Sequence, residues 1–345
     1  MKKILLILLF IPLLVCGCGK KSSVDVLKEI QKKLEKSSGY QLSGVLDINN
    51  NDDTYHYDVS VDYLKDNYYK VSIVNQANDF QQIILKNNDG VFLLTPSLNK
   101  SFKFQSDWPY QNSQIYLLDA VLKDIANDEK STLEFKNDKY IIHTKVNYPN
   151  NSKLNNQKIV FSKNYDLEKV VVYDFDDVVR MELDVSSIKY SPKFNQDYFD
   201  LDSIVDSDEL SESDEEEDST SEKTEEKEKQ TSSIEDVVYP LLLPTGTKLV
   251  EEERLAKDKG ERVIMTYDGE KSFLLVEETL NVFNEFTIIP SSGEPFQLMD
   301  TIGVMTDNSL SWSSGNMEYY LVSDVMNQEE LVDIAQSIVG ITSFK

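Results

Sequence analysis

The sequence predicts an α+β protein with two folded units joined by an acidic linker. Three observations lead to this fold class. Apolar and polar residues alternate over most of 40–190, two stretches in the first 130 residues follow the helical period instead, and 206–229 holds thirteen acidic against three basic residues. We therefore expect an antiparallel sheet covered by helices, a disordered linker, and a small carboxy-terminal α+β domain.

Length and charge limit the classes of protein. The chain has 345 residues, of which 40% are hydrophobic, so it can bury cores in about two domains. It carries 61 acidic against 35 basic side chains, a formal net charge of −26. This excess of acidic side chains argues against the basic surface that binding to nucleic acid or to an anionic membrane would require. We therefore exclude nucleic acid as a partner.

The first 17 residues have the layout of a secretory signal peptide. Two lysines precede an apolar run from Ile4 to Val15, which is too short to span a bilayer comfortably. The run ends in Val-Cys-Gly-Cys, which resembles a bacterial lipobox, where a small residue precedes the acylated cysteine. Cys18 fits because Gly17 precedes it, whereas Cys16 follows a bulky valine. The alternative is an ordinary signal peptide with two incidental cysteines.

Lipidation of Cys18 has consequences for chemistry and location. After cleavage the mature chain would keep only the modified cysteine, which leaves no disulfide, thiolate metal site or cysteine nucleophile. Two acyl chains are sufficient for stable anchoring. We therefore predict a signal peptide at 1–17, a lipidated tether at 18–23, and an extracytoplasmic protein anchored to the cell membrane through diacylglyceryl-Cys18.

The first unit is expected at 24–203 and begins with an amphipathic helix. Its apolar stripe is Val24, Leu27, Ile30 and Leu34, and Ser-Ser-Gly at 37–39 ends it. A second helix is expected at 113–126, with an apolar stripe of Ile115, Leu118, Leu122 and Ile125.

About ten strands make up the rest of this unit. In 54–64, for example, Tyr57, Val59 and Val61 share one face while His56 and Asp58 share the other. Short turns punctuated by Asn, Asp, Gly or Lys favour one antiparallel sheet. We expect a single apolar face, against which both helices are buried.

The acidic linker is placed at 204–233. Its functional alternative is a sink for cations such as calcium, but it lacks the glycine-containing ligand loop of an EF-hand. Because the linker offers nothing apolar to dock, we expect the two folded units to be mechanically independent.

The second unit, at 234–345, combines seven short strand candidates with a terminal helix. Asn327 caps that helix and Glu330 completes a capping box, while Gly340 is expected to end it. Its buried stripe is Leu331, Ile334 and Ile338.

No arrangement of residues predicts catalysis. The two histidines, His56 and His143, both fall on polar strand faces, and no nucleophile elbow, phosphate loop or zinc helix motif occurs. The densest folded carboxylate cluster, Asp174, Asp176 and Asp177, could bind a divalent ion or could simply form a hairpin turn; the flanking alternation favours the turn. We expect no enzymatic activity, no cofactor and no metal.

The stretch "LTPSLNKSFKFQSDWP" at 94–109, between the two helices, and "KFNQDYFDL" at 193–201 resemble the LolA-like family. This family includes outer-membrane lipoprotein carriers, periplasmic sigma-factor regulators, and sporulation or germination lipoproteins of spore-forming Gram-positive bacteria, and the last group is most similar. The resemblance covers 24–203. The second unit is similar to a small domain of unknown function that follows such modules.

The resemblance implies an unclosed antiparallel β-barrel, or half-barrel, covered by helices and enclosing an apolar concavity. We expect a pocket near the strands at 91–94 and 102–104. Its candidate cavity or rim residues are Phe92, Leu94, Phe102, Phe104 and Trp108. Trp108 could instead pack in the core.

Two functions stay open. A chain tethered through Cys18 cannot shuttle between membranes as a soluble carrier does. It could bind and regulate an envelope protein, such as a cell-wall hydrolase or a sensor, in sporulation or germination. Alternatively, it could bind a lipid or a lipoprotein acyl chain in the half-barrel cavity.

Overall fold

A computed structural model describes residues 21–50, 53–109, 113–205, 233–258 and 260–342. The predicted signal peptide, Cys18 and most of the acidic linker lie outside the described residues. Among the described residues, no helix is both long enough and apolar enough to cross a membrane.

Eleven strands of the first unit form one curved, unclosed sheet, as the half-barrel prediction requires. They are β1 (Gly39–Asn50), β2 (Asp53–Leu64), β3 (Tyr68–Asn75), β4 (Gln81–Asn87), β5 (Gly90–Thr95), β6 (Lys100–Phe104), β7 (Thr132–Lys136), β8 (Lys139–Lys145), β9 (Leu154–Ser162), β10 (Leu167–Asp174) and β11 (Val179–Tyr190). A twelfth strand, β15 (Thr287–Ser291), comes from the second unit. The order in the sheet is β15-β6-β5-β4-β3-β2-β1-β11-β10-β9-β8-β7.

Two helices cover the concave face of this sheet. Helix α1 (Ser23–Glu35) begins with a capping box between Ser22 and Asp25. One residue of the predicted apolar stripe is wrong: Val24 is exposed, and Val26 is buried in its place. Helix α2 (Leu118–Asn127) is shorter than predicted.

The core lies between these helices and the sheet. Tyr57, Val59 and Val61 of β2 pack in the same cluster as Ile30 of α1 and Leu122 of α2. The predicted placement of both helices against the apolar face of the sheet is therefore confirmed.

The sheet has a second apolar face, which the sequence prediction missed. Phe92 and Leu94 point away from the helices into an outer cluster that includes Phe199 and Ile204. Phe199 belongs to a 3₁₀ turn (Gln196–Phe199), and Ile204 to the short helix α3 (Leu201–Val205). Since Ile204 is buried, the linker cannot begin at 204, and that predicted boundary is wrong.

The second unit is a seven-stranded sheet with one helix. The strands are β12 (Lys248–Lys257), β13 (Gly260–Asp268), β14 (Phe273–Thr279), β16 (Glu294–Gln297), β17 (Ile302–Met305), β18 (Ser309–Ser314) and β19 (Met317–Val322). Their order in the sheet is β12-β13-β14-β19-β18-β17-β16.

Helix α4 (Gln328–Thr342) packs against this sheet. Asn327 and Glu330 exchange two hydrogen bonds of 2.9 Å each, which confirms the capping box. The predicted stripe of Leu331, Ile334 and Ile338 is buried. The helix continues past Gly340, so the predicted end is wrong.

The two units are not independent, which corrects the expectation from the linker. Strand β15 lies parallel to β6, with Thr287 opposite Lys100 and Ser291 opposite Phe104. Ile302 and Val304 of β17 belong to the core of the first unit. The reason is that docking uses strand edges and apolar side chains of the folded units, and the linker composition carries no information about either.

Buried polar contacts complete this interface. The Gln82 carboxamide donates to Ile302 O at 2.9 Å and accepts from Ile302 N at 2.6 Å. Lys100 and Glu318 form an ion pair in which both side chains are buried. Such groups cost free energy unless they are paired, so they fix one relative arrangement of the two units.

Candidate functional site

A groove of about 840 Å³ lies where the open end of the half-barrel meets the second unit. The first unit contributes the end of the β1–β2 hairpin, the β8–β9 loop and the β10–β11 turn. The second unit contributes Leu241, Leu242, the segment 295–299 and one side of α4. This volume falls in the range of ordinary ligand pockets.

The floor of the groove is apolar and continuous with the core. Leu154, Met181 and Met299 line it and also pack against the core of the first unit. At the rim, Phe175 is 68% exposed and Leu242 is 50% exposed. Exposed apolar side chains that are grouped around a concavity are typical of sites that bind a protein or a ligand.

The β10–β11 turn holds the Phe175 side of the rim in place. Asp174 accepts hydrogen bonds from Asp176 N and Val178 N, both at 2.9 Å, and from Arg180 Nε at 2.7 Å. Burial acts to raise the pKa of Asp174, but the hydrogen bonds from Val178 and Arg180 outweigh it and lower the pKa. These contacts confirm the hairpin-turn interpretation of the carboxylate cluster.

Two polar contacts join the units at or beside the groove. Lys153 Nζ lies 2.5 Å from Asp333 Oδ1, and Ser152 Oγ donates to Glu329 Oε1 at 2.5 Å. Both link the β8–β9 loop to α4. The lining holds Asp53, Asp174, Asp176 and Asp333 against Lys153 and Arg180, and it is therefore negative on balance.

The sequence comparison decides the family. The chain is 35% identical over 332 residues to the sporulation protein YdcC of Bacillus subtilis (strain 168), covering 96% of this chain and 94% of that protein. The chain belongs to the family of this sporulation protein. The predicted resemblance to sporulation proteins is thereby confirmed. No family model matches the chain.

Solved structures also resemble the chain. A LolA superfamily protein from Nitrosomonas europaea is 14% identical, with a TM-score of 0.29, and the match covers 53% of this chain and 99% of that one. A chain in the structure of the CwlD amidase from Clostridioides difficile in complex with the GerS lipoprotein is 16% identical. Its TM-score is 0.28, and the match covers 51% of this chain and 97% of that one.

The candidate cavity residues lie in three different places. Phe104 and Trp108 are in the core beneath the helices, where the Trp108 ring meets Tyr69 edge-on at 5.8 Å. Phe92 and Leu94 are in the outer cluster. Phe102 is partly buried at the contact with the second unit. None of the five lines the large groove, and a ligand contact by any of them stays a prediction.

The two histidines are not brought together. His56 lies on β2 and His143 on β8, with four strands between them in the sheet. His56 Nδ1 is 2.7 Å from Asp47 Oδ1 on an exposed face. Within the described ranges, no group of three or more His, Cys, Asp or Glu residues could hold a metal ion.

A buried carboxyl group lies next to the groove. Burial raises the pKa of Asp300 to about 6, against the opposing hydrogen bond from Ser314. Its Oδ1 atom is inaccessible to solvent and makes no hydrogen bond in the described structure, although part of the residue is exposed. The neighbouring residue, Met299, lines the groove, and its carbonyl oxygen accepts a hydrogen bond from Tyr57.

Sequence reasoning missed the groove entirely. Its residues come from positions 48–53, 114, 148–154, 174–181, 241–242, 295–299 and 333–337, so no local spacing connects them. One signal was available: "YPLLLP" at 239–244 is an apolar run between prolines that fits neither a helical nor a strand period.

Proposed function

We propose that this chain is a non-catalytic, extracytoplasmic lipoprotein that binds a protein partner of the cell envelope in sporulation or germination. The observation that carries the proposal is the groove between the units, with its apolar floor and exposed apolar rim. Membership in the family of a sporulation protein supports a role in sporulation. The partner class, a cell-wall hydrolase or a sensor, is part of the proposal.

The groove has the features of a protein-binding surface rather than of a catalytic site. Its exposed rim includes one aromatic and two leucine side chains, which can supply binding energy at a protein interface. The charged groups on its wall are largely engaged in ion pairs, namely Asp174 with Arg180 and Lys153 with Asp333. Such groups orient a partner more readily than they transfer protons.

The groove also favours a second candidate function. Ten of its lining residues are Ile, Leu, Met, Phe or Pro, and its floor continues into the half-barrel core, so an acyl chain of a lipid or a lipoprotein would be sheltered there. The concave face beneath the helices offers less space for a ligand, because its side chains are already packed together. A lipid ligand would therefore enter the groove rather than the predicted pocket.

One experiment separates the two functions. The full-length chain, its L242D variant and a V282D control would be purified from sporulating cells in mild detergent. Leu242 and Val282 are each 50% exposed, but only Leu242 lines the groove. A protein recovered with the wild type and V282D but lost with L242D supports protein binding. A lipid that follows the same pattern supports the second function, and equal recovery from all three contradicts both.

Anchoring is tested separately. Replacing Cys18 by Ala should release the protein from membranes, because two acyl chains supply stable attachment. Mass spectrometry of the wild-type amino-terminal peptide should show the acyl groups. A C18A protein that stays in the membrane fraction, together with a wild type that carries no acyl mass, contradicts the lipoprotein proposal.

A further inference from the structure

The first described residue is attached to strand β8 and to the β9–β10 turn, near the β7 edge of the large sheet. Lys21 Nζ donates to the Tyr165 hydroxyl and, at 3.3 Å, to the Tyr140 hydroxyl. The two tyrosine rings are stacked, with centroids 5.2 Å apart and planes inclined by 3°. The ammonium also lies 5.0 and 5.4 Å from the two ring centroids. These contacts hold the start of the chain against one place on the fold.

A second contact fixes the amino-terminal end of α1 beside β7. The Ser23 and Ser131 hydroxyls are 2.8 Å apart, and Ser131 directly precedes β7. Strand β7 is the last strand of the large sheet, so one of its edges is unpaired among the described residues. The chain therefore enters the fold at this edge of the half-barrel.

Two apolar side chains are exposed at the same edge. Phe135 of β7 is 56% exposed and packs its ring 4.8 Å from that of Tyr140, and Val24 of α1 is 50% exposed. Lys28 and Lys136 are exposed nearby in sequence, and exposed acidic residues also occur in both segments. Aromatic and apolar side chains interspersed with lysines are typical of surfaces that lie in a membrane interface.

Charge is distributed unevenly along the chain. Residues 20–36 hold six lysines against three acidic residues, whereas 204–345 hold 33 acidic against ten basic residues. A bilayer with anionic lipids repels the second region and attracts the first. The net charge of −26 argues against membrane binding by the whole surface. Because the charge is unevenly distributed, however, a chain that is already attached to the membrane is favoured in one orientation.

We infer that the edge formed by Lys21, Val24, Phe135 and Lys136 lies against the bilayer surface, with the groove and the second unit turned away. The inference rests on the proposed lipidation of Cys18, because three residues span at most about 11 Å. Lys21 is consequently held close to the headgroups. Phe135 and Val24 then enter the interface, and the lysines contact phosphate groups.

The test attaches the mature chain to a membrane chemically. A protein beginning at Cys18 has one cysteine, which can be coupled to a maleimide lipid in vesicles of phosphatidylcholine and phosphatidylglycerol. Hydrogen exchange of the coupled protein is compared with that of the uncoupled protein. Because attachment does not depend on acylation in the cell, this result is separate from the C18A experiment.

The expected result is slower exchange, by about threefold or more, in amides of 132–141 on coupling, with no change in 174–181. The F135S variant should lose this protection, whereas F175S should keep it; both side chains are more than half exposed, but they lie at different places in the fold. Equal protection of both segments, or none at 132–141, overturns the inference. Protection at 132–141 that appears without vesicles as protein concentration rises also overturns it, because a second copy then covers the edge.

Discussion

Lys100 of β6 and Glu318 of β19 form an ion pair in which both side chains are almost fully buried, joining the half-barrel to the second unit. The Lys100 ammonium also lies 4.7 Å from the centroid of the Phe102 ring. A buried pair is costly to break, because removing one member leaves an uncompensated charge in the interior. The relative position of the two units, and with it the groove, depends on this contact.

Removing one member of this pair should destabilise the whole protein. We expect K100M or E318L alone to lower the free energy of unfolding by about 3–5 kcal/mol, and the double variant to recover most of that loss. Urea unfolding measures both. As a control, K153M removes the more exposed Lys153–Asp333 pair and should cost no more than about 1 kcal/mol. A double variant as unstable as the sum of the single variants would contradict the burial of the pair.

The two units should stay together when the segment between them is cut. A specific protease site inserted within 206–232 would allow cleavage of the folded protein. Because β15 pairs with β6 and the cores are continuous, the fragments should elute together in gel filtration. The intact chain should also unfold in one cooperative transition. Separation of the fragments after cutting would show that the interface does not hold by itself.

Phe199 should be part of the fold rather than of the linker. It is fully buried against Tyr68, with ring centroids 5.7 Å apart, on the outer face of the sheet. F199A should therefore cost about 3–5 kcal/mol of stability. The matched control is F175A, which removes an exposed ring and should change stability by about 0.5 kcal/mol or less. Similar losses in the two variants would argue against the outer cluster.

Asp300 should make the protein less stable as pH rises. Its pKa is raised to about 6 in the folded state, above the ordinary value of 3.8, so folding takes up a proton between these values. Stability from this group is complete below about pH 4 and is lost as pH rises through about 6.

The D300N variant should therefore gain stability relative to the wild type at pH 7.5, by about 2–3 kcal/mol, and gain only about 1 kcal/mol at pH 4.5. Thermal unfolding at the two pH values measures the difference. D268N, in an exposed residue of β13, is the control. A gain from D300N that is the same at both pH values would mean that this carboxyl group titrates normally.

Much of the fold could be predicted from local patterns. Alternation with period two identified the strands that flank Tyr57 and Val59, because a half-buried sheet needs one apolar face. The Asn327–Glu330 capping box was readable because its two residues lie within one helical turn. What these features share is that the interacting residues are close in sequence.

Features that join distant residues could not be predicted. The sequence of strand β15 contains Pro290 and shows no alternation of apolar and polar residues. The strand forms only because the edge of β6 is available to pair with it. The two-sided burial of β5 depends on Phe199, which follows it by more than a hundred residues. The groove likewise exists only after Leu242 and Met181 have been brought together by the docking of the units.

The measurement that most directly tests the central claim is site-specific photocrosslinking in sporulating cells. A photoreactive phenylalanine would replace Leu242 at the groove rim in one strain and Val282, which is equally exposed elsewhere, in another. Binding of an envelope protein in the groove predicts a discrete crosslinked protein from position 242 and none from position 282. The same products from both positions, or only a lipid adduct at 242, would contradict it.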